Sequence, residues 1–374
     1  MKYGTLILHS GNEIDPHTGA LSIPVYQAST FHQYDVDNIG KYEYSRSGNP
    51  TRDALEKTLA ILENGTRAFA FSSGMAAVSS SLAILEQGDH VVATEDIYGG
   101  TYRILSCFFS KFGITTTFVD MTNLDNIERA IQPNTRALFL ESPSNPLLKV
   151  TDIVGAAAIA KKHGLMAMID NTFMSPYFQR PLDLGVDVVI HSATKFLGGH
   201  SDVIGGAAIT RSEELASRIY FVQNGFGSVL GPQDCWLVLR GIKTLRARME
   251  FQQQSAMEIA GWLKKQPWVA DVHYPGLPDH PGHEIIKSQA DGFGAVLSFK
   301  TDSVERAKRI MKKVKLWMVA VSLGGVESIL SYPVKMSHAS MPPAERERLG
   351  IADTLIRLSV GLEDAGDLIE DLNP

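Results

Sequence analysis

The sequence predicts an α/β fold, a mainly parallel sheet flanked by helices, followed by a smaller α+β domain. Three observations predict it. Short apolar runs alternate with helical stretches through the middle of the chain: Ala68 to Phe71, Val91 to Ala93, Thr116 to Val119, Ala137 to Leu140, Met166 to Ile169 and Val186 to Ile190. Strands apolar on both faces need cover on both, which the crossover helices of a parallel sheet supply. Several runs hand over to polar residues at their carboxyl ends, at Ser72-Ser73-Gly74, Glu141, Asp170 and Ser192. In open α/β sheets ligands sit outside those ends, so the handovers point to one cleft. Beyond about residue 232 the texture shifts to long helical stretches and isolated short strands.

Residues 1 to 48 carry turn formers (Gly11, Asn12, Pro16, Gly19, Pro24) and little periodicity, and read as an extended arm that packs on something else. From Pro50 the spacing of Leu55, Leu59 and Leu62 makes one apolar helical face, closed by Asn64-Gly65. The strand runs then alternate with helices such as Leu82 to Leu85 and Ile153 to His163, so residues 49 to 232 read as one ligand-binding α/β domain. Residues 233 to 374 read as the α+β domain, with a long helical stretch from Cys235 to Lys264 and strands Val269 to His273, Ala295 to Phe299 and Ile356 to Ser359.

The 374 residues are 44% hydrophobic and 20% charged, the usage of a folded globular chain. Lys and Arg total 35 against 41 Asp and Glu, a net charge of −6, which leaves no basic excess for a nucleic-acid backbone. Cys107 and Cys235, the only cysteines, make neither a disulfide framework nor a zinc site and suit a reducing cytoplasm. Both lie among apolar helical residues and read as small core side chains. The opening Met1 to His9 has no secretory apolar region, and nowhere do about 18 apolar residues run together as a membrane span requires. His273, His280 and His283 read as a polar turn, and no metal is expected.

Four segments carry chemistry. Lys195 follows an apolar strand, is flanked by Ser192 and Thr194, and precedes Gly198-Gly199. An isolated lysine is ordinarily a solvated surface residue. Here its nitrogen suits a Schiff base with a phosphate-bearing aldehyde, while the two hydroxyls hold the phosphate. Asp170, otherwise an ordinary turn aspartate, ends a strand where a carboxylate could keep a pyridine nitrogen protonated. Phe71 to Ala77 places Gly74 and Met75 at a strand-to-helix junction, where unpaired amides and the helix dipole attract a phosphate. Tyr98, beside Gly99-Gly100, offers a flat face to an aromatic ring.

These segments, in this order, resemble the pyridoxal-phosphate enzymes of cysteine and methionine metabolism, the family of cystathionine γ-synthase, cystathionine β- and γ-lyases and methionine γ-lyase. The most specific matches are Tyr42 to Thr51, Glu141-Ser142-Pro143-Ser144-Asn145-Pro146, Asp170-Asn171-Thr172-Phe173 and the Lys195 segment. The resemblance implies fold-type I, with a seven-stranded sheet, and pyridoxal 5'-phosphate as cofactor. It implies Lys195 as the Schiff-base lysine, Asp170 as partner of the ring nitrogen and Tyr98 as the stacked ring. It implies a phosphate held by Gly74, Met75, Ser192 and Thr194, and by Tyr44 and Arg46 from a neighbouring subunit. That exchange implies an obligate dimer, and the resemblance implies a homotetramer built from two such active-site-sharing dimers. Arg357 is implied to clamp the substrate carboxylate, with Asn145, Val321 and Ser322 bordering the pocket.

The implied activity is carbon–sulfur cleavage by α,γ-elimination, or by α,β-elimination where sulfur sits on Cβ, on cystathionine, homocysteine or methionine. A thiol, ammonia and a 2-oxo acid result. Val321 stands where many cystathionine γ-lyases and γ-synthases have glutamate, which favours a less polar sulfur substrate. Methionine γ-lyases share that valine but carry cysteine at the position of Gly100, while Leu230 to Asp234 and Val326 to Ser328 look nearer to the cystathionine lyases. The rival reading is γ-replacement on an activated homoserine, which would use the same residues.

Overall fold

The computed structural model describes residues 1–374 apart from Asn12, Ser340 and Pro374. Asn12, one of the turn formers of the arm, therefore lies outside the described residues. The strands are β1 Arg67–Phe71, β2 His90–Thr94, β3 Thr115–Val119, β4 Thr135–Glu141, β5 Met166–Asp170, β6 Val188–His191 and β7 Gly206–Thr210. The C-terminal strands are β8 Val269–His273, β9 Val296–Thr301, β10 Met318–Val319, β11 Ile329–Ser331 and β12 Leu355–Ser359. The chain divides into two compact units, Met1–Ile84 with Asp187–Arg246, and Leu85–Val186 with Ala247–Pro374.

In the first unit, β7 pairs antiparallel with β1 on one side and with β6 on the other. Sequence periodicity did not single out β7, because Gly206-Ala207-Ala208-Ile209-Thr210 is small and weakly apolar, with only Ile209 bulky. Its small side chains have a packing reason, since the helix Gly74–Leu82 lies against this strand and a Cβ on Gly206 would fall 2.1 Å from the Ser73 carbonyl oxygen. That helix begins at Gly74, eight residues before the expected start at Leu82. Ser73 caps it by accepting the Ala76 N–H at 3.0 Å. The helix Pro50–Leu62 forms as its leucine spacing predicts, capped by Asn49, whose side chain accepts from Thr51 and Arg52. The arm is not wholly extended: Tyr3–His9 is helical, with Ile7 fully buried and the Tyr3 hydroxyl donating to the Leu62 carbonyl at 2.8 Å. Seven residues are too few for propensity to sustain a helix, so packing made this one.

In the second unit, β5, β4, β2 and β3 lie side by side, all parallel, with interiors buried along β4 and β2 as their apolar runs require. A smaller sheet, in order β10–β11–β12–β9–β8, is antiparallel except for the β10 and β11 pair. Its core gathers Trp317, Phe299, Tyr274, Leu297, Ile356 and Leu358 with residues of the helix Leu245–Leu263. The long helical stretch is in fact two helices, Pro232–Ile242 and Leu245–Leu263, separated at Lys243-Thr244. Cys235 is buried, as expected, but Cys107 is exposed beside the exposed Phe108 and Phe112. An apolar neighbourhood in sequence does not reveal which side of a one-turn segment faces inward. Among the described residues no helix is long and apolar enough to cross a membrane.

Phe299 is fully buried and meets Trp268 edge-on at 6.1 Å. Phe299→Ala should cost the smaller sheet about 3–5 kcal/mol through lost apolar burial and the cavity left behind. A lower urea midpoint, followed by the near-ultraviolet signal of the tryptophans, checks this.

Candidate active site

In the first unit, β6 ends at His191, whose Nε2 lies 2.5 Å from Glu63 Oε1, both side chains buried. Ser192 follows, then a tight turn in which the Lys195 N–H donates to the Ser192 carbonyl at 3.1 Å and the Gly199 N–H donates to the Lys195 carbonyl at 2.7 Å. Thr194 Oγ1 accepts the Gly205 N–H at 3.0 Å and lies 3.2 Å from the Gly205 carbonyl, which fixes the turn. Gly241 lets the helix Pro232–Ile242 pack on the far side of this turn, because a Cβ there would sit 2.0 Å from the Gly198 carbonyl oxygen. The half-buried Lys195 is thus carried on a backbone braced from within and behind.

The helix that starts at Gly74 points its first turn at the same place. A Cβ on Gly74 would lie 2.7 Å from Ser192 Cβ and 2.8 Å from its Oγ. Glycine is therefore what lets the helix start abut the Ser192 hydroxyl. The first amides of an α-helix have no intrahelical acceptor, and the helix end carries partial positive charge. The Gly74 and Met75 amides with Ser192 accordingly form a cradle of the kind that takes a phosphate. Tyr44 and Arg46 are exposed, the guanidinium lying 5.3 Å from the centre of the Tyr44 ring. Their loop is held by buried Arg52, which donates to the carbonyls of Ser45 and Arg46 at 2.6 and 3.0 Å.

In the second unit, the polar handovers of β4 and β5 stand opposite one another, Glu141 in register with Asp170. Asp170 Oδ1 accepts the Thr172 N–H at 3.0 Å. Glu141 is buried and its Oε2 accepts the Tyr98 N–H at 3.0 Å. Burial first, and Asp170 second, hold the Glu141 carboxyl well above the usual carboxylate range. Two full negative charges roughly 5 Å apart on adjacent strands would repel by about 3 kcal/mol at an effective dielectric constant near 20. Tyr98 is partly exposed and caps the short helix Gly99–Arg103. Gly99 lies under the segment at Ser337, where a Cβ would fall 2.1 Å from the Ser337 carbonyl oxygen.

Arg357, on β12, is the other anchor of this unit. It is only 3% exposed, and it donates to Asn145 Oδ1 at 2.9 Å, the Ser322 carbonyl at 2.6 Å and Ser331 Oγ at 3.2 Å. Every one of these partners is neutral, no carboxylate pairs with it among the described residues, and its buried Nε bonds nothing. Burial lowers its pKa to about 10, so it stays cationic at neutral pH. Ser322 adopts φ 88°, a left-handed conformation costly for a residue with a Cβ, and its carbonyl is the closest acceptor of the guanidinium. Val321 beside it is 64% exposed. Asn145 belongs to a loop tied back to buried Asp96, whose Oδ2 accepts the Ser144 hydroxyl.

The structure thus brings Gly74, Ser192 and the Lys195 turn together in one unit, and Asn145, Ser322 and Arg357, and Tyr98, Glu141 and Asp170, in the other. Sequence reading passed over Gly206, Arg52, Ser331 and Asp96 as supports of these groups. No local pattern marks them: Gly206, Ser331 and Asp96 act on residues distant in sequence, and Arg52 acts through backbone carbonyls that no side-chain pattern reveals.

The matching family model, Cys/Met metabolism PLP-dependent enzyme, covers residues 4–374. The chain belongs to that family, and its cofactor is pyridoxal 5'-phosphate. The cystathionine beta-lyase MetC of Bacillus subtilis (strain 168) is 56% identical over 98% of this chain and 94% of its own length. The cystathionine gamma-lyase of the same strain is 52% identical over 100% of this chain and 98% of its own. The crystal structure of cystathionine gamma-lyase from Lactobacillus plantarum complexed with L-serine superposes with a TM-score of 0.97 at 46% identity, over 100% of this chain and 97% of that one. By class, then, the chain is a pyridoxal-phosphate-dependent carbon–sulfur lyase with a fold-type I architecture.

The residues present fit that cofactor, since the space at Gly74 is one that a Cβ would fill and the amides around it lie at a helix start. Gly206→Ala should push Ser73 and the helix start away from Ser192. Dialysed apoprotein of this variant should rebind pyridoxal phosphate at least about tenfold more weakly, read by titration of tryptophan fluorescence.

Proposed function

We propose that this enzyme cleaves cystathionine, by α,γ-elimination or, where the scissile sulfur sits on Cβ, by α,β-elimination, releasing a thiol, ammonia and a 2-oxo acid. Homocysteine and methionine are further substrates. The observation that carries the reading is the buried Arg357 cation, surrounded by neutral oxygens and lacking an anion of its own. A desolvated guanidinium with an open donor is the natural partner of an amino-acid carboxylate, which it binds with a planar fork. Exposed Val321 beside Ser322 supports acceptance of apolar thioether substrates.

The roles follow residue by residue. When bound, the cofactor supplies an aldehyde for the substrate amine and a ring that takes up negative charge from Cα. The Lys195 amine removes the α-proton as general base. The Asp170 carboxylate would keep the ring nitrogen protonated, and Tyr98 would stack on the ring and donate a proton to the departing thiolate. The Gly74 and Met75 amides, Ser192 and Thr194 hold the phosphate. Tyr44 and Arg46 serve the phosphate of a neighbouring subunit, which makes the active unit a dimer, and two such dimers form a homotetramer. The arm of residues 1–48, the binding domain 49–232 and the C-terminal domain 233–374 are the parts of that assembly, and the protein works in the cytoplasm.

Two measurements test this. Purified enzyme given cystathionine, homocysteine, methionine or O-acetylhomoserine, each with and without cysteine, should release 2-oxo acid from cystathionine without cysteine; 2-oxobutyrate marks γ-cleavage and pyruvate β-cleavage. Negligible oxo acid together with cystathionine formed from O-acetylhomoserine and cysteine would make it a γ-replacement enzyme instead. Lys195→Ala should lower kcat by about 10²–10⁴-fold through loss of the base, and borohydride reduction followed by peptide mapping should label Lys195 in the native enzyme.

A further inference from the structure

The carboxyl end of β4 carries a buried acid to which the scheme above gives no task. Glu141 is 5% exposed. No lysine, arginine or histidine forms an ion pair with it among the described residues, whereas buried Glu95 of the same unit meets Lys149 at 3.0 Å and Arg348 at 2.9 Å. The register of β4 and β5 sets it directly across from Asp170. On neighbouring parallel strands, residues in register project to the same face, so the two acids are side by side.

An isolated buried carboxylate without a cation is so costly that such a group keeps its proton instead. When two acids share a site, one ionises and the other is held neutral. Of this pair Glu141 is the more buried, Asp170 being only partly buried. The charged groups around it are Asp170 on β5, Asp96 before the Tyr98 turn, and Arg357 on β12; the two acids oppose its ionisation, and Arg357, which makes no ion pair with it, favours ionisation by less than burial disfavours it. The Tyr98 and Asn145 amides favour the charged form, but less than burial disfavours it. Those same amides show what the side chain does mechanically. Its Oε2 holds the Tyr98 N–H at 3.0 Å, and Asn145 is the residue whose amide oxygen receives Arg357.

We propose that Glu141 is a positioning residue that works as a neutral carboxylic acid, fixing the Tyr98 and Asn145 turns at the strand end that bears Asp170 while leaving Asp170 as the sole anion of the pair. The inference rests on the roles of Asp170 and Tyr98 given above. A charged Glu141 would hold the same turns, but it would place a second negative charge beside Asp170. An amide in its place keeps both shape and neutrality.

Infrared spectroscopy of cofactor-free protein at pH 7 tests the charge state. The native-minus-Glu141→Gln difference spectrum should contain a protonated-carboxyl stretching band, and the native-minus-Asp170→Asn spectrum should not; Glu56, whose pKa desolvation raises to about 7, cancels in both subtractions, and absence of the band from the first difference overturns the proposal. Rebinding of pyridoxal phosphate to apoprotein tests the positioning. Glu141→Ala should weaken it at least about tenfold, and Glu141→Gln should restore it to within about threefold of native, with the cofactor's circular dichroism restored too. A Gln variant no better than the Ala variant overturns the proposal. If Asp170→Asn rebinds the cofactor as tightly as native protein and turns over at the native rate, the assignment of Asp170 fails instead, while the infrared result on Glu141 still stands.

Discussion

A buried positive charge without an anion of its own governs the second unit. Arg357 sits on a central strand of the smaller sheet with three neutral oxygen partners, and those hydrogen bonds offset part of its desolvation. Much around it can be traced to that requirement. Asn145 must hold its side-chain oxygen toward the guanidinium, so its loop is tied through Ser144 to Asp96. Ser322 takes a left-handed conformation, and its carbonyl is thereby placed for the same cation. His338, buried between the Tyr98 turn and this region, has its pKa pulled down to about 4 by burial and by Arg357, and stays neutral.

The first unit solves the opposite problem, creating attraction for an anion without burying a charge. It does so with backbone. The helix Gly74–Leu82 brings its first amides to Ser192 because Gly74 and Gly206 remove the two Cβ atoms that would hold it off. Close approach, rather than turn geometry, is the reason for glycine at both places, since neither has a positive φ. Ser73 caps the helix and, through its carbonyl, touches β7, so the cap and the strand contact depend on the same residue.

Much of this was legible from local pattern. The strand runs ending at Glu141, Asp170 and the residues before Ser192 were found because full burial on both faces leaves continuous apolar segments. The lysine turn was legible because its hydroxyls and glycines crowd into ten residues. The small strand β7, the two-residue β10 and three-residue β11, the helical start of the arm and the exposure of Cys107 were not, because each is decided by a neighbour far away in sequence. Ile7 is buried beside Leu62's helix, and β11 takes its ladders from β10 and β12. The long helix broke into two at Lys243-Thr244, just past Gly241, whose closeness to the turn of Lys195 is a tertiary matter.

By itself the sequence determined the α/β class, the family and the cofactor, because those depend on periodicity and on short motifs whose members are neighbours in the chain. Tertiary structure alone decided that Arg357 is desolvated among neutral partners, that Ser192 abuts a helix start, and that Glu141 stands beside Asp170. Desolvation and like-charge proximity are properties of the space around a side chain, and the residues that shape that space are recruited from up to 212 positions away, as Asn145 is for Arg357.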